Sequence, residues 1–116
     1  MPAADPPPGS LAQALLFQRE LTALLHRVAP WSPSRWRAHG WAGAAADLAA
    51  ELARLGRRAG SGAPGDAAPG AVAPHGLADQ LAVLGTELLD LLAVLPGPQA
   101  HAVAAAGIAA VRAADL

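Results

Sequence analysis

LADQLAVLGTELLDLLAVL, residues 77–95, places leucine at 77, 81, 84, 88, 91 and 95, in alternating steps of four and three. That spacing keeps one face of a 3.6-residue helix apolar from end to end and predicts a helix from Gly76 to Leu95. Burying a leucine contributes about 1.5–3 kcal/mol, which for six of them falls short of the backbone entropy of ordering some twenty residues. The seam therefore needs a cover. Two covers satisfy it: the other helices of the same chain, or a second copy meeting the same leucines as a coiled coil. The seam lasts fewer than three heptads, and Leu89 and Leu92 widen it beyond a two-stranded contact, which favours the intramolecular bundle.

Upstream, Ser10 and Gln13 have the spacing of a capping box, with Ala14, Phe17, Leu21, Leu24 and Val28 as an apolar stripe widened by Leu11 and Leu25. Pro30 ends that helix. Residues 1–9 carry four prolines without periodicity and are expected to be a disordered tail. Between Pro30 and Gly43 the sequence PWSPSRWRAHGWAG predicts a bend, with Ser32 and Pro33 starting a short turn. A second long helix is expected over Trp41–Arg58, with Trp41, Ala45, Leu48, Leu52 and Leu55 on one face and Glu51 paired to Arg54 on another. Residues 59–75 hold four glycines and three prolines and read as a linker. After the leucine helix, Pro96, Gly97 and Pro98 impose a stop. An alanine-rich helix over Gln99–Ala114 follows, where Ala100, Ala104 and Gly107 would let another backbone come close. The expected fold is all-α: a small antiparallel bundle of three to four helices, one domain over residues 10–116.

Composition narrows the function. Of 116 residues, 32 are Ala, against 18 Leu, 6 Val, one Ile and one Phe, so the core is thin and help from a protein partner or self-association is expected. The absence of cysteine excludes disulfides, thiolate metal sites and cysteine nucleophiles. The opening MPAADPPPGS lacks the basic and apolar regions of a secretory signal, and no run approaches a membrane span, so the expected location is cytoplasmic unless a non-classical export route is used. Net charge is −1, laid out as +4 over residues 27–58 and −4 over 59–116.

No reactive constellation stands out. Residues 60–65 spell GxGxxG, but no strand leads in and Pro64 interrupts it. Without lysine there is no phosphate-binding GxxxxGK, and neither HExxH nor GxSxG occurs. His26, His39, His75 and His101 are scattered one per segment, away from metal-ligand spacing. Glu87 and Asp90 share a helix face, the usual mark of a solvated surface. Catalytic, cofactor and metal residues are accordingly expected to be none. The expected interaction residues are Leu77, Leu81, Leu84, Leu88, Leu91 and Leu95. A candidate surface patch comprises Trp31, Arg35, Trp36, Arg37, Trp41, Arg54, Arg57 and Arg58. Those tryptophans recur every five residues, about 140° apart on a straight helix, and fit an aromatic cap on the bundle. The alternative is nucleic-acid binding through segment 31–58, which a pI near 6.4 disfavours.

Trp41-Ala42-Gly43, followed by AAADLAAELARL, resembles the WXG-type small helical-hairpin proteins exported by type VII secretion systems. The resemblance implies a W-x-G turn at Trp41 and Gly43 between two amphipathic helices, and a dimeric, secretion-associated protein. The chain departs from that pattern where Pro30 and Pro33 interrupt the first helix, where the linker divides the second, and in the tail VRAADL, which lacks a Tyr-x-x-x-acid export signal. The leading expectation from the residues themselves is a non-catalytic helical protein-protein interaction or adaptor module.

Overall fold

The computed structural model describes residues 8–60 and 76–116. The expectations for the tail up to residue 7, for most of the linker, for the GxGxxG stretch beyond Gly60 and for His75 lie outside the described residues. Among those described, the chain is all helix: α1 (Pro8–Val28), α2 (Pro33–Arg37), α3 (Trp41–Arg58), α4 (Leu77–Leu92) and α5 (Gly97–Ala114), with a 3-10 turn at Ala38–Gly40.

The helix starts follow local chemistry. α1 begins at Pro8 rather than at Ser10, because proline in a first turn has no N–H to lose and its φ is already helical; Ser10 lies within the helix. Ser32 does cap α2, its Oγ accepting from the Arg35 amide at 3.2 Å, with Pro33 following. His39 and Gly40 both take left-handed backbone, φ 55° and 73°, which turns the chain out of α2 and lets α3 start at Trp41. α4 stops at Leu92, three residues before its expected end. Pro96 disfavours helical backbone at Leu95, and the chain leaves through a turn in which the Val94 and Leu95 amides both donate to the Leu91 carbonyl.

The leucine seam is buried in part and rotated. Leu77, Leu81 and Leu88 are in the core, whereas Leu84, Leu91 and Leu95 are half-buried. The buried line passes instead through Gly85 and Leu92. Gly85 causes the rotation: a Cβ there would lie 2.1 Å from Leu21 Cδ2, so α1 sits directly against the α4 backbone at that point. Gly107 plays the same part on α5, receiving the Phe17 ring where a Cβ would be 2.8 Å from Cε1. The buried line of α5, Ala100, Ala104, Gly107, Ile108 and Val111, is the close-approach face read from its small residues.

These contacts fix the topology. Phe17 meets Gly107, Glu20 pairs with Arg112 at 2.8 Å, and Arg27 Nε donates to the Leu116 carbonyl at 3.0 Å, so α1 and α5 run parallel. Leu21 meets Gly85, and the N-terminal half of α1 shares a groove with the C-terminal end of α4, so these two are antiparallel. α3 starts beside the C-terminal end of α1, where Trp41 stacks on Trp31, and near its own end Gly56 lies against Leu91. It therefore runs antiparallel to α1 and parallel to α4. The bundle is not wholly antiparallel: α1 with α5 and α3 with α4 are two parallel pairs, and each of α1 and α3 packs against both α4 and α5. The parallel pair α3 and α4 is joined in sequence by residues 59–76. The core centres on Phe17, Leu24, Val28, Trp36, Leu52, Leu81 and Leu88.

Candidate interaction surface

Of the six leucines expected to meet a partner, three are spent inside the bundle and three are half-buried. Leu77, Leu81 and Leu88 are at most 4% exposed and cannot contact anything outside it. What remains outside is a groove at the end of the bundle where α1 begins and α4 gives way to α5. Its volume is about 380 Å³, and its walls include Leu11 and Leu15 of α1, Leu89 and Leu92 of α4, Leu95 of the turn and Ala100 of α5. Leu11 and Leu15 are 58% and 56% exposed. Leu11 thus corrects the sequence reading, which had it widening the buried stripe. Position on the helix explains the difference: at 100° per residue, Leu11 and Leu15 lie about 110–150° from the centre of the Phe17, Leu21, Leu24 and Val28 stripe. That angle is calculable from sequence, and it separates leucines that face the core from leucines that border it.

The Trp and Arg residues fall into two separate places. Trp36 is 1% exposed and belongs to the core, so it is not a surface residue. Trp31 packs on Trp36 edge to face, ring centroids 4.8 Å apart, and on Trp41 at 4.7 Å; both Trp31 and Trp41 are half-buried. The Arg35 guanidinium lies over Trp31 at 4.6 Å and over Trp41 at 5.4 Å, and the His39 ring is 5.0 Å from that of Trp41. The sharp bend at Ala38–Gly40 is what brings tryptophans five residues apart into one stack. Arg54, Arg57 and Arg58 are at the other end of α3, about 20–25 Å away along its axis, so the eight residues do not form one patch. Arg54 is engaged with Glu51, its Nε donating to Oε2 at 2.9 Å. This hydrogen bond holds the Glu51 carboxyl below its ordinary value of 4.5, against the opposing effect of partial burial and with help from the charges of Arg54 and Arg58. His26, His39 and His101 are exposed, and among the described residues no group of three or more His, Asp or Glu converges as a metal site would need.

A second, shallower depression of about 240 Å³ lies between α3 and α5, bordered by Ala44, Asp47, Glu51, Ala110 and Ala113. Trp41-Ala42-Gly43 forms the first turn of α3, with open space where a Gly43 side chain would project. No helix among the described residues is long and apolar enough to cross a membrane. Comparison with known proteins returns no match to any family model, curated protein or solved structure.

Proposed function

We propose that this chain is a non-catalytic helical protein-protein interaction module whose working surface is the groove between the start of α1 and the end of α4. The observation that carries the reading is the pair Leu11 and Leu15, more than half exposed beside a concave apolar wall. An exposed leucine alone is ordinary. Two leucines one turn apart, bordering a groove lined by three more, form a contiguous apolar surface of the kind that marks a docking site. Covering each would contribute about 1.5–3 kcal/mol, so a few such contacts suffice for a specific complex. The acceptor geometry suits a helix, since the groove runs between two helices and is open along one side.

A photoreactive residue at position 15 tests this in the cells that make the protein. The reading expects one discrete protein adduct, lost on Leu11→Glu and not formed from position 46 on α3. Adducts that survive Leu11→Glu, or none from position 15, would overturn it.

A further inference from the structure

Resting on that interaction reading, we propose that the partner is a second copy of this chain, docked by two-fold symmetry through the face that α1 and α4 share. The face has an apolar centre of Leu11, Leu15, Leu89 and Ala93. One long edge is marked by the cationic Arg19, the other by the anionic Asp79 and Asp90. Along the outer edge of α1 stand Arg19 and His26, seven residues apart and about 20° from each other around the helix axis. Along the outer edge of α4 stand Asp79 and Asp90, eleven residues apart and likewise about 20° from each other. All four are exposed, and none forms an ion pair with another described residue. The polar residues between the edges, Gln18, Thr22 and Thr86, are uncharged.

A surface with one basic and one acidic edge matches itself under one of two possible rotations. If the two-fold axis lies in the face and across the helices, α1 meets α1 and α4 meets α4, which sets the acidic edge with Asp79 and Asp90 against the same edge of the partner. If the axis runs along the helices, each α1 meets the partner's α4 and all heights are preserved. Leu21 is level with Gly85, and Leu15 lies in the same groove as Leu92. Arg19 is therefore within about one helical turn of the level of Asp90, and His26 within about one turn of Asp79. Rotation about the long axis brings Arg19 opposite the partner's Asp90 and His26 opposite the partner's Asp79, with Leu11 and Leu15 laid on the far wall of the groove. Such an interface is isologous: each residue contact occurs twice, so a single substitution acts twice.

Sedimentation equilibrium of the full chain over a wide dilution series is the test. The expected result is a reversible dimer. Leu15→Glu weakens it by at least about tenfold without changing the helical circular dichroism, because Leu15 is outside the core. Leu11→Ser is the second variant should Leu15→Glu disturb folding. Arg19→Asp weakens the dimer by about tenfold or more, and adding Asp90→Arg restores it, the signature of a specific cross-interface pair. A monomer throughout the series would overturn the proposal, as would a dimer indifferent to both Leu15→Glu and Arg19→Asp. A monomer that still gives a discrete adduct from position 15 would locate the failure in the second copy; loss of the adduct as well would remove the interaction reading itself.

Discussion

At the scale of single residues, two glycines decide how the helices pack. Replacing a mid-helix glycine by alanine ordinarily gains about 1 kcal/mol. Gly107→Ala is expected to do the opposite, because the new methyl would stand 2.8 Å from the ring of fully buried Phe17 and the ring has nowhere to go. Overpacking of this kind costs about 1–3 kcal/mol. Urea denaturation should show a net loss, and Phe17→Leu in the same protein should recover part of it, the non-additivity expected of residues in contact. His39 is the other unusual residue. Its left-handed backbone tolerates Asn, whereas His39→Val should cost about 1–3 kcal/mol in a thermal melt. Glu51 supplies a pH effect of defined sign. Its carboxyl titrates below the ordinary value in the folded protein, so its contribution is present at neutral pH and disappears as pH falls through that lowered range. Glu51→Gln should therefore lower stability by no more than about 1 kcal/mol at neutral pH. The melting difference between the two proteins should vanish in acid.

At the scale of elements, the helices differ in how fully their patterns specify them. α3 was legible: the periodic stretch from about Trp41 to Arg58 is the observed helix, and of the face read from it Ala45, Leu48, Leu52 and Leu55 are buried and Trp41 is half-buried. The seam of α4 was harder to read. Leucine occupies so much of its circumference that several stripes fit the sequence, and the one selected depends on where α1 can approach, at Gly85. Hydrophobic periodicity ranks large side chains and has no means of registering a missing one. Substitutions along α4 should reveal the true face. Leu81→Ala and Leu88→Ala are expected to cost about 2–5 kcal/mol in denaturant unfolding, and Leu84→Ala and Leu91→Ala less than half as much. Equal losses at all four positions would restore the simple four-three seam. The groove was less legible still, since Leu11 and Leu15 are apolar residues on an amphipathic helix and only their angular distance from the stripe sets them apart.

At the scale of the whole molecule, what sequence leaves open is which helices run parallel. Short connections favour antiparallel neighbours, and the linker composition shows that the third long helix has freedom without showing where it goes. Because α3 and α4 point the same way, the chain between Gly60 and Gly76 must span about the length of α4, some 24 Å. At about 3.3–3.6 Å per extended residue this needs about seven residues. Shortening the 61–75 segment to ten residues should leave size-exclusion behaviour and melting temperature nearly unchanged. Shortening it to four should prevent the native arrangement, giving exchanged oligomers or an unfolded chain. A well-folded monomer of native stability with four residues would refute the parallel pair. The same topology makes the earliest and latest long helices close neighbours, through Phe17 against Gly107 and Glu20 with Arg112. During synthesis, the part of α1 that faces α5 must then wait uncovered while some seventy residues follow it out of the ribosome, and the bundle can close only once α5 has emerged. Truncated nascent chains lacking α5 should for that reason be sought out by chaperones.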